Sequence, residues 1–128
     1  LASTITAIVG QRVARKICPH CKKAYSPVPT IVDDIKKVLG KLWVPSTQLF
    51  KGADCSECAN TGYLGRVGIF EVLPISEKVG RLVLERAPTS EIEAEAVAEG
   101  MITMKQDGYL KVVEGVTTIE EILRVAQE

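Results

Sequence analysis

The sequence has a single histidine, few aromatic side chains and no long apolar run. A helix that crosses a bilayer needs about 18 or more consecutive apolar residues, so the sequence offers no candidate membrane span. Its first ten residues also lack the charged flank and the long apolar run of a signal peptide. We therefore expect a soluble, cytoplasmic chain that does not insert directly into a membrane.

Motifs for the common catalytic chemistries are also missing. No GxxxxGK[ST] phosphate-binding loop occurs, and Gly62, Gly65 and Gly68 do not spell the dinucleotide fingerprint. No Ser/His/Asp constellation is evident, and the lone histidine, His20, limits acid–base chemistry. The sequence therefore predicts no catalytic residue and no nucleotide site in this chain, and by itself it leaves enzymatic activity open.

Net charge is absent as well, because 16 Lys and Arg residues balance 16 Asp and Glu residues. Residues 1–64 hold nine basic and four acidic side chains, a net charge of +5. Residues 65–128 hold seven basic and twelve acidic side chains, a net charge of −5. This division is compatible with two structural units or with a surface that faces charged neighbours. With zero net charge and no interleaved aromatics, we disfavour nucleic acid as a partner. The basic residues that could contact it are Arg12, Arg15, Lys16, Lys22 and Lys23.

All four cysteines fall into two Cys-x-x-Cys pairs, Cys18/Cys21 and Cys55/Cys58. Four thiolates satisfy a tetrahedral Zn²⁺ ion, and each two-residue spacer lets a tight turn aim two sulfurs at one metal. We predict one zinc per chain, and such a closed ligand set would be structural. Two disulfides, thioredoxin-like redox chemistry and an iron site are the alternatives. His20, between two ligands, is interpreted as a solvent-facing spacer.

Hydrophobic periodicity predicts a first set of elements. Leu1, Ile5, Ile8 and Val9 have helical spacing, so we expect a helix over residues 1–16. A second helix is expected from Thr30 to Gly40, and a short extended segment from Thr47 to Lys51. The residues from Tyr63 to Leu73 form the best strand candidate, and the near-continuous apolar run predicts a strand covered on both faces.

Capping patterns predict helices in the last third of the chain. A hydroxyl followed three residues later by Glu or Gln marks a helix start at Ser90/Glu93, Thr103/Gln106 and Thr118/Glu121. Gly100 and Gly115 stand between these segments as stops. A further helix is expected from Ser76 to Arg86, and the last helix is expected to bury Ile119, Ile122, Leu123 and Ala126. The clustered residues Glu91, Glu93, Glu95 and Glu99 are interpreted as an exposed helix face rather than a metal site.

Three segments carry specific family motifs: GQRVARKICPHCK, DCSECANTGYLGRVGIFEVLPIS and EGMITMKQDGYLKVVEGVTTIEEILRV. Together they resemble the C-terminal part of the type II secretion and type IV pilus assembly ATPases, the GspE, PulE and PilB group. The shared features are the two cysteine pairs, Thr-Gly-Tyr-x-Gly-Arg, a Glu in the following strand and Gly-x-Thr-Thr-x-Glu-Glu. One departure is Asp54, which stands where the family pattern leads us to expect glycine.

The resemblance implies an α+β fold with a small four-cysteine zinc-binding module of short strands and a helix. This module would be inserted at the end of a RecA-like ATPase domain and followed by a C-terminal helical bundle. The implied boundaries are 1–16 for the end of the ATPase domain, as a helix, and 17–64 for the zinc-binding insertion. Residues 65–73 would return to the ATPase sheet as a strand, and residues 74–128 would form the helical subdomain.

The resemblance also implies a function for the parent protein. Members are homo-hexameric ATPases at the cytoplasmic face of the bacterial inner membrane, where they drive pilin or pseudopilin assembly with inner-membrane platform and assembly proteins. ATP and Mg²⁺ would be bound upstream, so the present chain would be a structural and interaction part with Cys18, Cys21, Cys55 and Cys58 as its zinc ligands. Retraction ATPases lack the four cysteines, so the assembly branch is favoured. Secretion, pilus and DNA-uptake systems are not distinguished.

Two further questions stay open at this level. Arg12, Arg15 and Arg66 could face phosphate or a subunit boundary, or could pair with carboxylates. The alternative function is a free-standing zinc-ribbon-like module that binds nucleic acid or protein through its basic half.

Overall fold

The fold is known from a computed structural model, which describes residues 4–44 and 48–126. Strands and helices alternate irregularly along the chain, and two short 3₁₀ turns, Gly40–Leu42 and Ser56–Cys58, interrupt the loops. The strands are β1 (Ala7–Ile17), β2 (Lys22–Tyr25), β3 (Leu49–Gly52) and β4 (Tyr63–Pro74). The helices are α1 (Pro29–Leu39), α2 (Glu77–Leu84), α3 (Thr89–Ala98), α4 (Met104–Val113) and α5 (Ile119–Val125). The mixed helix-and-strand fold expected from the sequence is confirmed.

Two separate antiparallel strand pairs organise the fold. The long pair joins β1 to β4, with a register that runs from Ala7 opposite Pro74 to Ile17 opposite Tyr63. The short pair joins β2 to β3. Both pairs bring together segments that are far apart in the sequence, and the loops at one end of each pair carry the cysteines.

The helix expected over residues 1–16 is wrong, because residues 7–17 form β1. Side chains of β1 alternate between two faces, and Ala14 is buried on the inner face opposite Val67. Pairing with β4 therefore outweighs the helical spacing of the apolar residues. Leu1, the first residue of that apolar pattern, lies outside the described residues.

The strand expected from Tyr63 to Leu73 is confirmed as β4, but only one of its faces is covered. Ile69 is fully buried on the inner face, whereas Phe70 is 42% and Val72 is 47% exposed on the outer face. The expectation of burial on both faces is therefore wrong for the described residues. Val9 of β1 lies opposite Val72 and is 59% exposed, so the outer face continues across both strands.

One core lies between the inner face of the long strand pair and three helices. Its buried side chains are Ala14, Ile35, Leu39, Leu49, Ile69, Tyr109, Val112, Ile119 and Ile122. Helix α1 is confirmed, and it ends at Gly40 with a φ of 53°. Tyr109 of α4 is fully buried and donates its hydroxyl hydrogen to Asp34 of α1 at 2.6 Å. Helix α4 thus connects the cysteine-bearing half of the chain to the long strand pair.

The four C-terminal helices do not form one bundle. Helices α2 and α3 pack on each other beyond the Pro74 end of β4. Helices α4 and α5 also pack on each other. In addition, α4 contacts both β4 and α1, and α5 contacts β1. The expected bundle is therefore corrected to two helix pairs. Leu123 is 43% exposed, so its expected burial is also wrong. None of the helices in the described ranges has the length and apolarity that a bilayer crossing requires.

Capping decides where several helices begin. Thr103 accepts from the Gln106 amide while Gln106 accepts from the Thr103 amide, so the predicted capping box is confirmed. Thr118 caps α5, as predicted, by accepting from the Glu121 amide at 3.2 Å. The cap expected at Ser90 is wrong, because α3 begins at Thr89 with Pro88 in the capping position. Thr47, at the start of the expected extended segment, lies outside the described residues.

Glu121 does not complete a second capping box and instead joins α5 to β1. Its side chain is 2% exposed and accepts from the Arg15 amide and the Arg15 guanidinium, each at 2.8 Å. Arg124 donates two further hydrogen bonds at 2.8 and 3.0 Å. Burial raises the pKa of Glu121, but the hydrogen bonds from Arg124 and Arg15 outweigh it and lower the pKa to about 2. The buried carboxylate is therefore ionised and fully paired.

Replacing Glu121 with Gln should lower the free energy of unfolding by about 2 kcal/mol at pH 7, because hydrogen bonds to a charged acceptor are lost. The folded-state pKa lies below the unfolded value, so the stabilisation is present above about pH 4.5 and is lost as pH falls toward 2. Urea unfolding at pH 7 and pH 3 measures both effects. The exposed neighbour supplies the control, since Glu120→Gln should change stability by less than about 0.5 kcal/mol. Equal effects of the two substitutions would contradict the assigned role.

Two helical glycines should respond to alanine with opposite signs. A Cβ at Gly108 of α4 would lie 2.6 Å from Ile122 Cγ2, in the contact between α4 and α5. A Cβ at Gly80 of α2 would lie 3.6 Å from Ile75 Cγ2, an ordinary contact. We expect Gly108→Ala to destabilise the chain by about 1–3 kcal/mol and Gly80→Ala to stabilise it by up to about 1 kcal/mol, both measured by urea unfolding. A stabilising Gly108→Ala would show that α5 does not pack as described.

Candidate metal centre

The four cysteine sulfurs converge at the end of the long strand pair. Their Sγ atoms all lie within 4.8 Å of one another, and the short separations are 3.5 Å for Cys55–Cys58, 3.7 Å for Cys18–Cys55 and 3.8 Å for Cys21–Cys58. All four are free thiols, so the disulfide alternative is not the arrangement found. The structure therefore brings together the four residues that the sequence predicted as one ligand set.

The first cysteine pair follows directly from β1. Cys18 is fully buried, and its amide donates to the Gly62 carbonyl at 2.9 Å, which continues the pairing with the segment before β4. Pro19 and His20 form the turn, and the Cys21 amide donates to the Cys18 carbonyl at 3.4 Å. Cys21 then leads into β2, and its carbonyl accepts from the Ala53 amide at 3.0 Å. Each cysteine of the pair is thus fixed by a different strand.

The second cysteine pair is held by a 3₁₀ turn and a left-handed segment. Ala59 and Asn60 have φ values of 53° and 63°, which reverse the chain directly after Cys58. The Asn60 amide donates to the Cys55 carbonyl at 2.9 Å and closes the turn. The Gly62 amide donates to Cys58 Sγ at 3.2 Å. This is the backbone N–H···S bond that stabilises a thiolate ligand.

Gly52 and Gly62 allow the two halves of the cluster to approach. A Cβ at Gly52 would lie 2.2 Å from the Gly62 carbonyl oxygen, which no side chain tolerates. Gly62 itself has a φ of 82°, a conformation that favours glycine. The two glycines therefore place the end of β3 against the segment that carries Cys58. No motif in the sequence marks Gly52 or its contact with Gly62.

Protonation of the cluster is uneven without a cation. Burial raises the pKa of the Cys55 thiol and raises that of Cys21 to about 12, with added hydrogen bonds among the sulfurs. Burial also acts on Cys58, but backbone hydrogen bonds at Cys55 and Gly62 outweigh it and lower its pKa to about 6. The Cys58 thiol therefore ionises most readily of these three, while Cys21 and Cys55 keep their protons to higher pH. A divalent cation would supply the missing positive charge and displace those protons.

The donor set fits a tetrahedral metal ion. A Zn–S distance of about 2.3 Å places the sulfurs of a tetrahedron about 3.8 Å apart, close to the separations found here. Four thiolate ligands suit Zn²⁺, and iron shares the same geometry and ligand set. With four protein ligands such a site keeps no open position for water or substrate. The arrangement can thus hold a structural metal but does not offer metal catalysis.

Residues beside the four cysteines are compatible with this arrangement. His20 is exposed, as expected for a spacer in the turn. Asp54 does not appear among the described residues with positive φ, so the turn before Cys55 does not require the glycine of the family pattern. The backbone thus accommodates the one departure from that pattern.

The other predicted candidates have mainly structural contacts. Arg15 pairs with Glu121 and lies over the Tyr63 ring at 4.3 Å, which confirms the carboxylate-pairing interpretation for this residue. Arg66 is exposed and lies opposite Arg15 in the register, and Arg12 donates to the Gln11 carbonyl at 3.3 Å. In the described part of the chain, the four cysteines are the one group of three or more potential ligands that could hold a metal.

Comparison with known proteins covers almost the whole chain. A sequence model of the family described as "Type II/IV secretion system protein" matches residues 1–124. The chain is 34% identical over 129 residues to a type IV pilus assembly ATPase PilB of Pseudomonas aeruginosa, and 31% identical over 123 residues to a protein of the same name from Thermus thermophilus. It is 33% identical over 128 residues to a type II secretion system protein E of Aeromonas hydrophila.

These matches include 100%, 96% and 100% of the present chain but only 22%, 14% and 25% of the respective relatives. The chain thus corresponds to less than a third of the length of each of these proteins. The resemblance inferred from the cysteine pairs and the flanking motifs is confirmed: the chain belongs to the type II/IV secretion system protein family.

Proposed function

We propose that the chain is the zinc-binding and C-terminal helical part of a secretion or pilus assembly ATPase. The observation that carries this proposal is the convergence of four cysteine sulfurs, from two segments, at the spacing of a tetrahedral metal site. The names of its relatives, pilus assembly ATPases and a type II secretion protein, support the assignment of the parent function. The part itself would be structural, with ATP and Mg²⁺ bound elsewhere in the parent.

The proposed role of zinc is to fix the cysteine module to the end of the long strand pair. A structural tetracysteine site supplies on the order of 10 kcal/mol, enough to order loops that have little core of their own. Cys18 follows β1 directly, and Cys58 precedes β4 by one short turn. In the proposed parent, the long strand pair would belong to the RecA-like ATPase domain and residues 17–64 would project from it as an insertion. Movement of the ATPase domain would then be passed to the module without a flexible joint.

The proposed setting is a homo-hexamer at the cytoplasmic face of the inner membrane, with platform and assembly proteins as partners. Pilin or pseudopilin assembly would be the work done with ATP hydrolysis. The alternative, a free-standing zinc-ribbon module that binds nucleic acid, has less support. Nucleic-acid binding would need free basic side chains, but two lysines of the β2–β3 pair already lie over aromatic rings. Lys22 lies over Phe50 at 4.7 Å, and Lys51 lies over Tyr25 at 5.1 Å.

Metal content tests the site. The chain purified without added metal should contain about one zinc, measured by elemental analysis, with thiols protected from a thiol reagent. Cys58→Ser should lose the zinc and most of the folded structure, because it removes one ligand and the acceptor of the Gly62 amide. His20→Ala is the control and should keep the zinc, since its side chain is exposed in the turn. Loss of zinc in His20→Ala, or four reactive thiols in the unmodified chain, would contradict the proposed ligand set.

A chimera tests the parent function. In the chimera, the present chain replaces the matching C-terminal part of the Pseudomonas aeruginosa relative. All residues of the present chain fall within that alignment. We expect ATP hydrolysis above that of the same relative truncated before the replaced part, and loss of that gain on Cys58→Ser. A chimera with bound zinc but no more activity than the truncated protein would contradict the ATPase assignment. Retardation of DNA or RNA by the isolated chain, weakening steeply with salt, would instead favour the nucleic-acid module.

A further inference from the structure

An apolar groove lies where β4 meets the connection between α3 and α4. Its volume is about 560 Å³. Most of its lining is apolar and comes from Phe70, Val72, Pro74, Ala96, Met101 and Ile102. Ile102 is 41% exposed, so a large apolar side chain of the connection stays in contact with solvent at the groove. A concave apolar surface that is open to solvent is typical of a binding site.

The polar rim of the groove is acidic at the α3 end. Glu99 lines the groove, and a hydrogen bond with Glu99 raises the pKa of its neighbour Glu95. Lys78 attracts both carboxylates from a distance. Lys111 lines the other end of the groove, where it is already paired with Asp107 at 3.0 Å. The α3 end of the rim is therefore suited to a partner that brings positive charge.

The turn of residues 40–44, which follows α1, carries the complementary chemistry. Trp43 holds this turn in place, because its side chain packs on the core. Leu42 and Val44, on either side of it, are exposed, and Val44 is 65% exposed. Residues 36–44 hold three lysines and no acidic residue. The 40–44 turn therefore presents apolar side chains together with positive charge.

The groove and the 40–44 turn do not cover each other within one chain. Helix α4 lies between them, since its Tyr109 contacts α1 while its Asp107 lines the groove. Residues 88–102, on the groove side, hold four glutamates and no basic residue, the reverse of residues 36–44. Apolar surface is thus matched with apolar surface and negative charge with positive charge. A second copy of the chain supplies each surface with its complement.

We propose that the groove of one copy of the chain binds the 40–44 turn of a second copy. The exposed apolar side chains of the turn pack on the apolar lining, and Lys41 faces Glu99 and its neighbour Glu95. Burial of apolar surface supplies affinity, and the opposite charges orient the approach. A stable interface uses about 20–30 residues a side, so this smaller contact is expected to be weak between isolated chains. The inference does not depend on the proposed function.

Self-association of the isolated chain tests the contact. Sedimentation equilibrium at chain concentrations up to about 1 mM should show reversible association. Val44→Asp and Ile102→Asp should each weaken it by about tenfold or more, because each places a charge in an apolar contact. Leu84→Asp is the matched control and should leave association unchanged, since Leu84 is 73% exposed on α2 and lies outside both surfaces. A monomeric unmodified chain, or equal weakening by all three substitutions, would overturn the inference.

Mixing two variants provides an independent readout. Val44→Asp keeps an intact groove and Ile102→Asp keeps an intact turn, so the mixture should recover the contact that neither variant forms alone. In NMR spectra, isotope-labelled Ile102→Asp should show shifts at residues 40–44 when unlabelled Val44→Asp is added, and the reverse labelling should shift residues 99–102. A mixture that stays monomeric would overturn the inference. So would amide protection of the groove that occurs only in the chimera, which would identify another part of the parent as the occupant.

A charge reversal keeps the test valid if an apolar substitution disturbs folding. Lys41 and Glu99 are both exposed, so replacing them should not affect the core. Lys41→Glu and Glu99→Lys should each weaken self-association. The chain with both substitutions should regain it, because the pair is restored with opposite polarity. No recovery in this doubly substituted chain would overturn the inference.

Discussion

The meeting of four sulfur atoms at one point is the constraint on which the rest of the structure depends. Cys18 and Cys55 are 37 positions apart, yet their sulfurs lie 3.7 Å apart. For this to happen, the end of β1, the short β2–β3 pair and the turn before β4 must all reach the same place. The Gly52–Gly62 contact is a direct consequence, since no side chain fits between the converging segments. A metal ion in this position would join these three parts of the fold.

A second connection lies next to the cysteines and is made without a metal. Glu121 ties α5 to β1 at Arg15, three residues before Cys18. The Tyr63 ring lies under the same guanidinium, and its hydroxyl hydrogen-bonds Thr118 at 2.7 Å. The motif Gly-x-Thr-Thr-x-Glu-Glu thus acts as a buried polar contact between the C-terminal helices and the strand that leads into the cluster. Because the carboxylate is fully paired, its burial does not leave an uncompensated charge.

The sequence predicts best those features that depend on near neighbours. The two Cys-x-x-Cys pairs, the helix before Gly40 and the Thr103/Gln106 capping box are all local patterns, and the structure contains each of them. The apolar spacing of the first strand fits a helix as well as a strand, and its partner residues lie 46 (Ile17–Tyr63) to 67 (Ala7–Pro74) positions away. The packing of α2 with α3, apart from α4 and α5, likewise cannot be predicted from the local sequence of any one helix. The sequence pattern also does not show that the Glu121 carboxylate accepts from Arg15 instead of from the Thr118 amide.

X-ray absorption at the zinc edge of the purified chain tests the central claim most directly, because it counts the ligand atoms and measures their distances. We predict four sulfur ligands at about 2.3 Å and no nitrogen or oxygen ligand. A shell that contains nitrogen or oxygen, or a chain without bound metal, would contradict the account of these four cysteines as one closed structural site.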